Sequence, residues 1–355
     1  MPPLPFDERV TLLTSWLKSL PNEWAIQPET LSIASADASF RRYFRVKSTH
    51  PQYPTMIVMD APPAHEDCQP FIHVAQLFAQ SGVNVPKILA QDLIQGFLLL
   101  SDLGNTTYLS ALNANMSQAD ALYRQAFAAL VQLQKASTPD DLPPYDRERL
   151  LNEMMLFPQW YLGVHHQYSM TDAQTAELTK VFNILLDNNT TQSQVWVHRD
   201  FHSRNLMVQN NVAQNPGILD FQDAVYGPIT YDAVSLLRDA YIEWDEQQQI
   251  DWLVRYWEMA RAAGLAVPTQ FDVFYRDFEY MGLQRHLKIL GIFARLYHRD
   301  GKSAYLNDLP LVLKYTRQVA ARYREFGHLL LLLDQVAQHS GETDASSTTQ
   351  VGYTF

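Results

Sequence analysis

One polar loop, set between two short apolar pieces, narrows the fold more than any other feature of this chain. Val195-Trp196-Val197 is apolar throughout and too short for a helix of its own, so it reads as a strand. The polar run His198-Arg199-Asp200-Phe201-His202-Ser203-Arg204-Asn205 follows at once, and Leu206-Met207-Val208 succeeds it. A second apolar piece, Ile218-Leu219, then ends on Asp220-Phe221. Around this island, nearly everything from Thr107 to Gln338 has helical periodicity.

The first hundred residues have a different texture. Val10, Leu13, Leu17 and Leu20 recur at helical spacing, with Asp7 placed to cap the helix. Leu31–Ser35, Phe40–Val46 and Thr55–Asp60 read as strands. Pro70 opens and Gly82 closes a helix whose apolar stripe is Phe71, Val74, Leu77 and Phe78. Val85–Ala90 and Phe97–Leu100 pair as a hairpin around Gln95-Gly96. The pattern predicts an α+β chain. A small β-rich lobe spans 1–103, a larger helical lobe spans 104–340, and a Ser/Thr-rich disordered tail spans 341–355.

Bulk properties exclude several classes. With 355 residues, 47% hydrophobic and 18% charged, the chain is an ordinary globular protein long enough for two units. A formal net charge of −11 argues against nucleic acid held through phosphates. Cys68 is the single cysteine, so no intrachain disulfide forms, which fits a reducing compartment. The N-terminal residues lack a basic region and an apolar core, so no signal peptide is expected. Purely apolar runs such as Leu329–Leu333 are far short of a membrane span. A cytoplasmic protein with a small-molecule partner, and without membrane or nucleic-acid partners, is the expectation.

The loop carries a specific chemistry. His198-Arg199-Asp200 with Asn205 matches H-R-D-x-x-x-x-N, a catalytic-loop pattern of kinases. Phosphoryl transfer depends on positioning and charge neutralisation. Asp200 is placed to orient an acceptor hydroxyl and take its proton. Asn205 offers a neutral oxygen and Asp220 an anionic one, the hard donors that Mg2+ prefers. A lone match of this kind arises by chance. Here the flanking apolar pieces, the second aspartate and the β-rich first lobe coincide with it.

His198-x-Asp200-x-His202-x-x-Asn205, with Leu219-Asp220-Phe221-Gln222-Asp223-Ala224 and Gly227-Pro228-Ile229-Thr230-Tyr231-Asp232, resembles the aminoglycoside phosphotransferase/choline kinase family. The resemblance implies a protein-kinase-like two-lobed fold, with ATP and Mg2+ as cofactors. Ala36-Asp37-Ala38-Ser39-Phe40-Arg41-Arg42-Tyr43-Phe44, Met59-Asp60-Ala61-Pro62-Pro63 and Met281-Gly282-Leu283-Gln284-Arg285-His286-Leu287-Lys288 are similar to the branch acting on N-acetylmuramate and N-acetylglucosamine. That likeness implies an amino-sugar acceptor, phosphorylated at its anomeric C1 hydroxyl during peptidoglycan recycling. A kinase for choline, homoserine or an aminoglycoside is the nearest alternative, and a nucleotide-binding pseudokinase is the other.

The family pattern assigns further positions. The loop over 35–44 would cover the ATP phosphates, with small residues such as Ser39 in place of glycines. The usual third-strand cation is replaced by Met59, and the helix over 71–80 has no glutamate. Arg41 and Arg42 are then the candidates for the phosphates. Leu100, Ser101, Asp102 and Leu103 would meet adenine through backbone. His198 and His202 would hold the catalytic loop, and Asp232 would bond loop backbone. Between Arg276 and Lys302 six basic residues face three acids, so Arg285, His286 and Lys288 are candidate partners for a substrate carboxylate. A solvated helix face is the plainer reading of those three. Asp223 either touches substrate or caps, and Arg204 either neutralises phosphate or pairs with an acid. Glu243, Trp244 and Asp245 keep a cationic acceptor open.

Overall fold

The computed structural model describes residues 8–36 and 40–341. Asp7, Ala38, Ser39 and positions 342–355 of the expected tail lie outside the described residues. The chain divides into two compact units: Met1–Leu133 with Arg204–Ala224, and Gln134–Ser203 with Val225–Phe355. The first division falls at Leu133–Gln134, beyond position 103, and the segment after the catalytic loop returns to the first unit.

The first unit is built on a five-stranded antiparallel sheet in the order β1-β2-β3-β5-β4. Its strands are β1 (Ile26–Ala36), β2 (Arg42–Ser48), β3 (Thr55–Asp60), β4 (Ile88–Asp92) and β5 (Phe97–Ser101). β1 starts earlier than its apolar pattern suggests, because irregular register between Gln27 and Ser32 breaks the alternation there. Helix α1 (Glu8–Ser19) lays Leu13, Trp16 and Leu17 on a core of Phe44, Val46, Met56, Val58, Phe97 and Leu99. Each such buried side chain contributes about 1.5–3 kcal/mol. Helix α2 (Gln69–Ser81) has Pro70 in its first turn and ends on Gly82 at φ 89°, as the sequence pattern predicts. Gly96 closes the β4–β5 hairpin at φ 73°. A Cβ there would stand 1.9 Å from the Ala61 carbonyl oxygen, so only glycine fits.

The second unit is helical around one long rod, Phe271–Asp300, in which every residue from Phe278 to Gly291 is buried. A helix buried on all sides is a core element. Gly291 lets it press on the segment before Phe157–His165, since a Cβ at 291 would lie 2.3 Å from the Leu156 carbonyl carbon. The strand Gln194–Val197 pairs antiparallel with Val225–Pro228. Ile218, by contrast, pairs with Leu206 in a two-residue ladder of the first unit. The sequence reading missed Val225–Pro228, whose Gly-Pro looks like a turn. Among the described residues no helix is long and apolar enough to cross a membrane.

Candidate active site

Asp200 sits at the end of a constrained peptide in the second unit. Arg199 before it has φ 77°, a left-handed conformation that costs a non-glycine residue about 1–3 kcal/mol. Both of its backbone groups are tied down. Its N–H donates to Asp232 Oδ1 at 3.0 Å, and its carbonyl accepts from Arg285 Nη1 at 2.8 Å. Asp232 Oδ2 also accepts from the His198 N–H at 2.7 Å, and His198 Nδ1 accepts from the Asp200 N–H at 3.2 Å. Thus His198 and Asp232 sit behind the loop. Burial pushes the Asp232 carboxyl up to about 7, against the two N–H groups that favour its charge. His202 packs edge-on against Tyr241 with ring centroids 5.3 Å apart, and the Ser203 N–H donates to Asp239 Oδ2 at 2.9 Å.

Cations surround the Asp200 carboxylate. Arg285 Nη2 stands 3.6 Å from its Oδ1. Burial works against the charge of Asp200, but the positive charges of Arg285, Lys288, His202 and Arg199 outweigh it and hold the carboxyl well below its usual range. Lys288 Nζ reaches Glu153 at 3.1 Å, and Glu153 also takes the Arg199 guanidinium and the Tyr145 hydroxyl. Tyr231 Oη accepts from Arg285 at 3.0 Å and from Lys288 at 3.1 Å. His286 does not join this cluster. Its Nε2 lies 3.4 Å from the Arg238 carbonyl and its ring stacks on Tyr315, where burial lowers its basicity.

The first unit carries Asn205 and Asp220. Asn205 Nδ2 lies 3.3 Å from Asp220 Oδ2, and the Asn205 carbonyl accepts from the Leu219 N–H at 2.9 Å. Phe221 anchors this turn between Phe71 and Phe78, at ring separations of 4.9 and 5.8 Å. A carboxylate and an amide oxygen side by side are hard donors that fit magnesium once the amide turns its Oδ1 inward. Asp223 and Arg204 are exposed on the same unit.

The two candidate phosphate arginines differ. Arg42 Nε donates to Asp60 Oδ2 at 2.9 Å while Arg9 Nε donates to Oδ1 at 2.8 Å, and Asp60 is fully buried. Arg41 instead pairs with Glu66 at 2.9 Å, just before α2. Burial would lower its basicity, but Tyr43, Glu66 and Asp223 more than offset that. Met59 is fully buried, so no cation stands at the strand position. Leu100 and Ser101 complete β5, and the Ser101 N–H already donates to the Lys87 carbonyl at 2.9 Å. Asp102 accepts from Arg45 Nε at 2.6 Å, and the Leu103 carbonyl from Gln209 at 2.7 Å. Glu243, Trp244 and Asp245 line a cavity of about 220 Å³ with Arg238, Lys314 and Tyr315. Lys314 neutralises Glu243 there at 2.5 Å, which does not suit a cationic acceptor.

Glu153, Tyr145, Tyr231 and Glu66 were not legible as site residues. Of these, only Tyr231 had a local signal, its place beside Asp232.

Residues 30–265 match the model of the phosphotransferase enzyme family. The N-acetylmuramate/N-acetylglucosamine kinase of Neisseria meningitidis serogroup B is 45% identical over 353 residues, covering 98% of this chain and all of that one. The kinase of the same name from Pseudomonas putida is 45% identical over 330 residues, covering 91% and 95%. Among solved structures, the ethanolamine kinase of Plasmodium vivax superposes with a TM-score of 0.61 at 10% identity, over 89% of this chain and 91% of that one. Choline kinase from Cryptosporidium parvum gives 0.57 at 12% identity, over 91% and 97%. The solved structures share the protein-kinase-like fold. The chain belongs to the phosphotransferase enzyme family and is an ATP-dependent kinase.

Proposed function

We propose that this chain transfers the γ-phosphoryl group of ATP to the anomeric C1 hydroxyl of N-acetylmuramate and N-acetylglucosamine, in the cytoplasm, during cell-wall recycling. The observation carrying this reading is near full-length 45% identity to a relative named for those two sugars. The chain also carries Asp200, Asn205 and Asp220 in the spacing of a kinase catalytic loop.

Asp200 takes the C1 hydroxyl proton as that oxygen attacks phosphorus. The cations around it keep it ionised and so able to accept. A hemiacetal hydroxyl is more acidic than a plain alcohol, so a weakly basic carboxylate suffices. Asn205 and Asp220 would hold magnesium, which would neutralise charge on the ATP phosphates. Arg41, set by Glu66, supplies a second positive charge to those phosphates, and Arg42 keeps Asp60 neutralised. Backbone around Ser101–Leu103 meets adenine. The product, a sugar 1-phosphate, has the chemistry required for nucleotidyl transfer to a UDP-sugar.

The test is turnover of Mg-ATP with each sugar, followed by phosphorus-coupled NMR of the product. Coupling to H1 is the expected result. Phosphate at C6, or transfer only to a cationic acceptor, refutes the proposed acceptor. Nucleotide binding without transfer to any acceptor supports a regulatory pseudokinase instead.

A further inference from the structure

Arg285 and Lys288 carry the positive charge that makes the long helix a natural place to seek a partner for a substrate carboxylate. Their surroundings point elsewhere. Arg285 is only 4% exposed and Lys288 6%. Arg285 Nη1 is committed to the Arg199 carbonyl and the Tyr231 hydroxyl, while Nη2 faces Asp200. The guanidinium also lies over the Tyr231 ring, 5.1 Å from its centroid. Lys288 is held between Glu153 and the same hydroxyl.

The backbone of Arg199 supplies the reason for this arrangement. Its left-handed φ sets the direction in which Asp200 leaves the strand. Asp232 holds the N–H side of that residue, and Arg285 holds the carbonyl side at 2.8 Å, with the Ser235 hydroxyl a longer second donor at 3.3 Å. Tyr231 and Asp232 are adjacent, so one helix start organises both restraints. A bound arginine fork can hold a carbonyl and face a carboxylate at once, whereas a lysine is a point charge.

We propose that Arg285 is a positioning residue for Asp200, braced by Tyr231, Lys288 and Glu153, and does not bind the carboxylate of the acceptor. The inference rests on Asp200 being the base of the proposed reaction. Without Arg285, the Arg199 peptide loses a charged hydrogen bond and Asp200 loses its nearest cation among the described contacts. The chemical step then slows for every acceptor alike. Recognition of an acceptor's carboxylate would instead be lost only for the acceptor that has one.

The experiment compares wild type, Arg285→Gln and Arg285→Lys with N-acetylmuramate and with N-acetylglucosamine, only the first of which carries a lactyl carboxylate. The expected result for Arg285→Gln is a fall in kcat of about 100-fold, equal for the two sugars, with KM changed less than about threefold. Arg285→Lys should recover part of kcat for both, because it restores the charge without the fork. A rise in KM confined to N-acetylmuramate overturns the proposal in favour of substrate recognition. An unchanged kcat overturns it outright. Should Arg285→Gln fold poorly, Arg285→Lys carries the same two-sugar comparison, with nucleotide affinity checking its integrity. If wild type turns over neither sugar, the proposed acceptor fails. The kcat-against-KM split is then read on whichever acceptor wild type does use.

Discussion

Replacing Arg41 and Arg42 separately by Met should give opposite outcomes, although the two residues are neighbours in sequence. Arg42 serves Asp60, which is fully buried and also holds Arg9. Removing Arg42 leaves that carboxylate with one arginine, so the loss is a charged hydrogen-bond pair and not an abandoned buried charge. Such bonds contribute about 1.5–3 kcal/mol. Arg42 is 33% exposed, so solvent screening brings the expected cost to about 1–2 kcal/mol. Arg41 is 13% exposed and paired with a Glu66 that is equally covered. In the proposed reaction it faces triphosphate, where losing a partly buried charge partner costs about 2–3 kcal/mol. That corresponds to roughly a 30- to 150-fold weaker hold on nucleotide. Initial rates against ATP concentration, with denaturant unfolding of each variant, separate the two. Arg41→Met should raise the KM for ATP with little change in stability. Arg42→Met should lower stability with little change in KM. If Arg42→Met alone raises KM, the assignment of the phosphate cation is refuted.

Further outcomes follow from the same geometry. Asp200→Asn should abolish transfer while isothermal titration still finds nucleotide affinity near wild type; substantial surviving turnover would mean that another group is the base. Asp232 binds its proton up to about pH 7 when folded and only to about pH 4 when unfolded. Wild-type stability from this residue is therefore full below pH 4 and falls as pH rises through 7. The stability deficit of Asp232→Asn, measured by urea unfolding, should shrink across that window. A deficit that grows with pH would show the carboxylate to be the favoured form. Glu153→Gln should lower kcat for both sugars about equally, since Glu153 holds Arg199 and Lys288 behind the proposed base.

The candidate catalytic loop stood out in the sequence because its residues are contiguous. Asp200 and Asn205 are five residues apart, and a single strand end delivers Asp220. The β-rich lobe was readable because alternation, Pro70 and Gly82 act locally. Partners far off in sequence leave no such trace. Glu153 lies 46 residues before Arg199, and Arg9 lies 51 before Asp60. Composition shows these residues as surplus charge, and only folding pairs them. The same limit applies to Arg42, which looked like a phosphate ligand from its place in the loop and turns out to neutralise a buried aspartate. Val225–Pro228 was hidden because Gly227 and Pro228 signal a turn, yet register with Val195 and Gln194 makes them an edge of a ladder.

The close approach at Gly291 has a mechanical consequence. Arg285 and Gly291 ride on one continuous helix, six residues or about 9 Å apart along its axis. A methyl group at 291 meets main chain at Leu156, which has no flexible end to yield, so the rod and the Leu156 segment must move apart. Six residues earlier that displacement arrives at the guanidinium, where a fraction of an ångström separates a held peptide from a loose one. Gly291 thus works as a distance gauge, setting from afar how far the arginine reaches.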